Sequence, residues 1–259
     1  MKYLLDGKFV GERLPMGKNV GAFETFRIAR GAVFALNMHM ARLASACKIL
    51  GVSTPSRSLV TKSLKKLISH VSRPNESDFR AKIIVFPDAK GKRHVAMGIE
   101  LLPPLKFEKV SCAFVKATPS KYPFKSTDRT EYGRCEKIAK AKGFDLPILV
   151  HKGRILESSI ANVFIVKKGI VYTPPVSGVV DGVARKTVLS LCKKLGIKAR
   201  IKKMAKNDVL SADEVFLTNA LRFVFGISSI GRKKSGVIKV AKQLFGKYRK
   251  LALNWSKFV

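Results

Sequence analysis

Acidic residues are scarce in this sequence: 17 Asp and Glu stand against 51 Lys and Arg in 259 residues, a formal net charge of +34 at pH 7. Such a chain attracts polyanions, nucleic acid first among them. The basic residues, however, are spread along the whole chain as pairs such as Lys65-Lys66, Lys167-Lys168 and Lys202-Lys203. No basic tail and no aromatic-rich basic motif concentrates them, so they read as a solvated basic surface and nucleic acid is not the expected partner. Long apolar runs are missing too. None approaches the roughly 18 to 20 residues a membrane-spanning helix needs. The opening Met1-Lys2-Tyr3-Leu4-Leu5 loses its apolar character at Asp6, which excludes a secretory signal. Cysteine is limited to Cys47, Cys112, Cys135 and Cys192, with no C-x-x-C pair. That spacing argues against a zinc cluster or a disulfide scaffold and fits reduced thiols in a cytoplasmic protein. His39, His70, His94 and His151 stand apart, with no paired spacing, so no metal is expected. What is abundant is apolar content. At 46% hydrophobic residues the chain can bury a core, which excludes wholesale disorder.

Hydrophobic periodicity and turn residues divide the chain into two α+β regions. Residues 2–10 read as a hairpin around Asp6-Gly7, and residues 23–28 and 32–36 as a second around Arg30-Gly31. Met40, Leu43, Cys47 and Leu50 recur at helical spacing before Gly51. Val60, Leu64, Leu67, Ile68 and Val71 mark a second helix. Residues 81–86 and 94–99 read as paired strands. Pro103-Pro104 and the polar residues after them suggest a linker. The expected organisation is a small domain over 1–105, a linker over 106–109 and a larger domain over 110–259. In the second region, residues 110–117 read as a strand and 126–142 as a helix. Strands are expected to flank Lys152-Gly153 and Lys168-Gly169. Residues 185–195 form a helix stopped by Gly196. Strands over 214–218 and 223–230 precede a helix over 237–245, with Val237, Val240, Ala241, Leu244 and Phe245 facing inward.

The segment LESSIANVFIVKKGIVYTPPVSGVVDGVAR, residues 156–185, is the most informative. It has a Glu, an Asn five residues later followed by an aliphatic and an aromatic residue, then a Thr, then a glycine turn ending in a basic residue. In this sequence those are Glu157, Asn162, Val163, Phe164, Thr173, Gly182 and Arg185. This pattern resembles the signature of fold-type IV pyridoxal phosphate enzymes, the class IV aminotransferase family. FKSTDRTEY resembles the family's catalytic-lysine segment and puts Lys125 at the lysine's place. His39 to Leu43 resembles its H-x-x-R-L element, with Arg42 at the phosphate-binding arginine's place. ADEVFLTNALRFV resembles its last active-site strand and loop. The resemblance covers roughly residues 4–230. It implies an α+β, two-domain fold of the D-amino acid aminotransferase type, pyridoxal 5'-phosphate (PLP) between the domains, and a homodimer.

The chemistry of such a cofactor makes sense of the residue types. PLP needs one lysine amine to hold it covalently and then to move a proton, here Lys125. It needs an acid partner for its ring nitrogen, here Glu157, beside Asn162. It needs a cradle for its phosphate. Gly182, Val183 and Ala184 sit just before the helix that starts near Arg185 and can aim N–H groups at an anion, and Arg42 adds a forked cationic donor. Asn219 and Ala220 occupy the family's phosphate-side loop.

Within the family, the aminotransferases carry a G-T-A or S-T-T type loop where this chain has Asn219-Ala220-Leu221. The 4-amino-4-deoxychorismate lyases carry N-A or N-S followed by a large residue. Phe23-Glu24-Thr25 also fits the lyases better than the F-E-G of branched-chain aminotransferases. The resemblance therefore implies a lyase forming 4-aminobenzoate, a folate precursor, and pyruvate. The alternative is a branched-chain or D-amino acid aminotransferase. Thr25 is a candidate proton donor to the departing enolpyruvate. Phe23, Arg27, Arg129 and Arg222 are candidates for substrate contact. Three places depart from the family: Asp128 stands where Asn is frequent, Ala220 where the aminotransferases have a Thr, and Gly17-Lys18-Asn19-Val20-Gly21 where a glycine-aspartate element is usual.

Overall fold

The computed structural model describes residues 2–11, 14–16, 19–29, 31–71 and 77–253. Arg30, expected at a hairpin tip, lies outside them. The chain divides into two compact units. The first is Met1–Leu105 with Phe124–Asp128 and the chain from Leu251 on; the second is Lys106–Pro123 with Arg129–Lys250.

The first unit contains β1 (Lys2–Leu5), β2 (Lys8–Val10), β3 (Ala22–Ala29), β4 (Ala32–Val33), α1 (Leu36–Ile49), α2 (Arg57–Ile68), β5 (Asp78–Pro87) and β6 (Arg93–Leu102). Among the described residues these strands form one antiparallel sheet in the order β2-β1-β6-β5-β3-β4. The expected turn at Asp6-Gly7 has both residues at positive φ, 49° and 83°, the backbone a two-residue hairpin favours. Gly51, at φ 69°, follows α1 as the sequence suggests. The second expected hairpin is shorter than its pattern, because Leu36 already opens α1. Likewise α2 ends at Ile68, before Val71. Strand alternation sends Glu24, Phe26 and Ile28 to one face of β3 and Phe23, Thr25 and Arg27 to the other. α1 packs on β3 and α2 on β6.

His94 ties two turns of this unit together. Its Nδ1 lies 2.7 Å from Asp6 Oδ2 and its Nε2 3.2 Å from Asp88 Oδ2. The hydrogen bond to Asp6, then that to Asp88, raises its pKa above the ordinary histidine value. A group whose pKa is raised on folding stabilises fully below its unfolded value of about 6.5 and stops doing so as pH rises through the folded value. The urea midpoint lost in His94→Gln is therefore expected to be larger at about pH 6 than at about pH 9.

The second unit contains β7 (Lys109–Lys116), α3 (Thr130–Ala141), β8 (Leu146–His151), β9 (Arg154–Ser158), β10 (Asn162–Lys167), β11 (Ile170–Thr173), α4 (Val183–Lys194), β12 (Ala199–Ile201), α5 (Lys206–Leu210), β13 (Glu214–Asn219), β14 (Phe223–Ile230), β15 (Lys233–Lys234) and α6 (Val240–Leu253), whose last turn enters the first unit. Its mixed sheet runs β12-β11-β10-β13-β14-β7-β8-β9, with β15 on β14, among the described residues. Lys152-Gly153 and Lys168-Gly169 make positive-φ turns as expected. Val163, Ile165, Val215, Leu217, Phe225 and Ile227 build one buried face. Phe164 and Phe216 stack at 5.0 Å between ring centroids, and α4 packs on β13.

Three sequence expectations are corrected here. The stretch expected to be helical over 126–142 forms α3 only from Thr130, because Ser126 bridges Ala22 and Lys125 O accepts from Phe23 N instead. Val237 lies outside α6 and is 81% exposed rather than inward-facing. The segment after Pro104 is not a free linker: Glu108 O accepts from Gly226 N at 2.9 Å, and the Phe107 ring lies 5.5 Å from that of Phe245. No helix among the described residues is long and apolar enough to cross a membrane.

Candidate active site

In the first unit, backbone pairing positions Lys125. Phe23 N donates to Lys125 O at 2.9 Å, and Thr127 N to Gly21 O at 2.8 Å. Gly21 N donates in return to Thr127 Oγ1 at 2.8 Å. Gly21 also lies close against β5, where a Cβ would come within 2.6 Å of Val85 O and 2.8 Å of Phe86 Cβ. The Lys125 side chain thus rises from an extended segment, with Nζ 4.5 Å from the centre of the Phe23 ring. Lys82 approaches the same ring at 4.9 Å.

Beside it, Glu24 is buried against α1. Arg42 donates through Nε to Glu24 Oε1 and through Nη2 to Glu24 Oε2, each at 2.7 Å. His39 Nδ1 is 2.7 Å from Oε2. Burial by itself would raise the Glu24 pKa; the two Arg42 hydrogen bonds and its charge, with His39, more than offset that and lower it to about 2. Burial lowers the His39 pKa, and the cations Arg42 and Lys125 act in the same direction against Glu24. His39 is therefore neutral, with its Nδ1 proton directed at Glu24. Arg42 is the only exposed edge of this trio, at 18% for its side chain.

In the second unit, β9 ends and β10 begins around a buried carboxylate. Glu157 Oε1 accepts from Tyr132 O–H at 2.7 Å. Its Oε2 accepts from Asn162 Nδ2 at 3.3 Å and from Val180 N at 3.3 Å. Asn162 Nδ2 also donates to Val180 O at 2.9 Å, which ties the loop before α4 to β10. A Cβ at Gly182 would come within 2.1 Å of Asn162 Oδ1, so a larger residue where α4 starts would force the Asn162 amide to move. The N-cap residue of α4, Gly182, has no side chain to cap it, and no acid lies in the first turn. Its leading N–H groups, those of Val183 and Ala184, suit an anion.

Around this carboxylate, the hydroxyls of Ser158, Ser159 and Thr218 are buried without a hydrogen-bond partner among the described residues. Thr218 pairs directly with Asn162 across β13 and β10. Buried polar atoms left unsatisfied in this way are compatible with a polar ligand beside them. The turn after Thr218 is tied internally: Asn219 Oδ1 accepts from Leu221 N at 3.0 Å and Arg222 N at 2.8 Å. That oxygen is committed, so any contact of Asn219 with a phosphate falls to its amide nitrogen. Phe223 closes the turn at φ 61°, an uncommon backbone for a side chain this large, with its ring stacked on Tyr248 at 4.3 Å.

With this geometry in view, the family model for amino-transferase class IV matches residues 21–230. The chain belongs to the class IV aminotransferase family. It is 26% identical to the D-alanine aminotransferase of Bacillus licheniformis over 239 residues, 83% of this chain and 81% of that protein. It is 27% identical to the branched-chain aminotransferase of Thermoproteus uzoniensis solved with norvaline, covering 98% of this chain and 95% of that one with a TM-score of 0.84. An aminotransferase of Brucella abortus bound to PLP shares the fold at 20% identity and a TM-score of 0.86, over 97% and 99% of the two chains.

Among the residues singled out from sequence, Phe23, Thr25, Arg42 and Lys125 lie in the first unit. Glu157, Asn162, Gly182, Val183, Ala184, Asn219 and Ala220 lie in the second. The three arginines considered for substrate contact are differently placed. Arg27 is buried, with Nε 2.8 Å and Nη2 2.6 Å from Asp78 Oδ2 and a further bond to Pro103 O. A carboxylate clamp there would have to displace a buried ion pair. Arg129 donates to Ser159 O at 2.9 Å and lies over the Tyr132 ring at 4.9 Å. Arg222 has Nε 3.6 Å from Glu108 and a side chain 42% exposed. Among the described residues no cluster of three His, Cys, Asp or Glu could hold a metal.

Two participants escaped the sequence reading. Tyr132 is one of several aromatics on amphipathic segments and carries no local signal. Glu24 was visible only as a motif letter. The Thr173 of the signature proves to be a strand lock: its hydroxyl donates to Val163 O at 2.8 Å.

Proposed function

We propose that this chain is a PLP-dependent lyase that splits 4-amino-4-deoxychorismate into 4-aminobenzoate and pyruvate. The observation that carries the reading is one face of β3. Phe23 lies under Lys125 Nζ, and Thr25, two residues on, puts a hydroxyl on the same face. An elimination needs both a base and a donor to the departing group. The turn at Asn219-Ala220-Leu221 supports the same reading.

PLP, when bound, supplies an electron sink for the charge left on a substrate carbon after deprotonation. Glu157 would hold the proton of its ring nitrogen. The first N–H groups of α4 would hold its phosphate. The unsatisfied hydroxyls of Ser158, Ser159 and Thr218 fit a polar cofactor there. Lys125 Nζ, once the substrate amine has taken its place, removes the proton from ring carbon C4. Thr25 Oγ1 delivers a proton to the methylene carbon of the departing enolpyruvate, which becomes pyruvate. The aromatic ring formed makes the step strongly downhill.

A second reading, amino-group transfer to a 2-oxo acid, is favoured by the two aminotransferases above that share 26% and 27% identity with this chain. One experiment separates the two. 4-Aminobenzoate and pyruvate are followed together from 4-amino-4-deoxychorismate, and oxo-acid-dependent consumption of D-alanine and of a branched-chain amino acid is followed in parallel. Equimolar 4-aminobenzoate and pyruvate are expected. Their absence from a protein that carries bound cofactor, with amino acid consumed instead, would replace the lyase by the transferase.

A further inference from the structure

We infer that Tyr132 is a positioning residue for Glu157, one that fixes how selectively the carboxylate grips a protonated ring nitrogen. The inference rests on the PLP reading and goes beyond the lysine, acid and phosphate cradle that the family resemblance supplies.

Glu157 is 5% exposed, so its charge is stabilised almost wholly by fixed donors. Of these three donors to it, the Tyr132 hydroxyl lies at 2.7 Å, and Asn162 Nδ2 and Val180 N each at 3.3 Å. A contact of that length between a hydroxyl and a carboxylate is a charge-assisted bond, stronger than the neutral kind. The phenol stays a donor, because burial and the adjacent Glu157 charge both raise its pKa.

Its ring is also held in place. Tyr132 packs against the cluster of Val115, Ala117, Cys135, Ala139 and Leu149 on α3, β7 and β8. The Arg129 guanidinium covers the ring while anchored to Ser159 O. The hydroxyl therefore meets Oε1 from a fixed direction and leaves the carboxylate one preferred orientation. Sequence separation of 25 residues between the partners means that only the docking of α3 on the sheet sets this geometry.

The test compares cofactor dissociation constants for PLP and for its analogue with the ring nitrogen replaced by C–H. Absorbance and fluorescence titrations read these without turnover. Wild type is expected to bind PLP more tightly than the analogue. Tyr132→Phe keeps the packed ring and removes the donor, and should lower that preference about tenfold while leaving analogue affinity near wild type. In a Glu157→Gln background the same substitution should leave the preference unchanged, since the interaction it acts through is gone. Equal weakening of both cofactors in Tyr132→Phe, or an unchanged preference, would reduce Tyr132 to a packing residue and overturn the inference. A wild type that takes up neither form would overturn the cofactor reading and this inference with it, a result distinct from an unchanged preference.

Discussion

Lys125→Ala is expected to lower turnover by about 10⁴-fold or more, with the folded state intact. The two parts of this expectation have separate origins. The segment that carries Lys125 is held by backbone bonds to Gly21 and Phe23 and by the Thr127 hydroxyl, none of which uses the lysine side chain. The approach of the side chain to the Phe23 ring is worth on the order of 0.5–1 kcal/mol. The proposed chemistry, in contrast, has no substitute for a primary amine at that point. Lys125→Arg keeps the charge and the ring contact but lacks the amine, so it should be as inactive as Lys125→Ala. Steady-state rates and thermal melts of both variants check this. An arginine variant with a tenth of wild-type activity would mean that charge alone is required and that the covalent role lies elsewhere.

Glu24→Ala is expected to destabilise the protein by about 3–5 kcal/mol, the range seen when one partner of a buried charge pair is removed. Such a loss is a large part of the marginal stability of any domain. The carboxylate satisfies both Arg42 donors and the His39 Nδ1 proton. Its removal strands a partly buried guanidinium and a fully buried imidazole together. The pH dependence follows from the same contacts. Glu24 has its pKa lowered from 4.5 to about 2. A carboxyl whose pKa is depressed on folding stabilises above its unfolded value and loses that contribution as pH falls through the folded one. A difference of this size corresponds to roughly 3 kcal/mol. His39, also depressed, adds to the loss below its unfolded value of about 6.5, because the unfolded state takes up a proton that the buried ring refuses. Urea midpoints should therefore fall on acidification in wild type and fall less steeply in Glu24→Ala. Parallel profiles in the two proteins would show that Glu24 is not the group that titrates.

How much of this was legible beforehand differs element by element. Asp6-Gly7, Lys152-Gly153 and Lys168-Gly169 announced their turns, because a positive φ at two successive residues is a local demand that few residue types meet. Gly51 and Gly196 announced helix ends for the same reason. Glu157, Asn162, Gly182 and Arg185 were legible as an ordered pattern, and the structure supplies the physics of one spacing: a Cβ at 182 would collide with the Asn162 amide. The stretch before α3 misled, since its composition suits a helix while Ser126 pairs with Ala22, more than a hundred residues earlier in the chain. Val237 misled in the opposite sense, as an apolar residue at helical spacing just outside the helix.

The sequence by itself determined the turn positions, the helix stops, the order of the signature residues and the absence of any long apolar span. Each of these depends on residues close together in the chain, where backbone sterics and side-chain type act directly. Only the tertiary structure decided that Arg27 is spent on Asp78, that Glu24 binds Arg42 and His39, and that Tyr132 rather than a nearer residue serves Glu157. A buried carboxylate is stabilised by whichever donors the packing of helices on sheets brings within about 3 Å. Those donors are fixed by strand register and helix docking, quantities that no local stretch of sequence encodes.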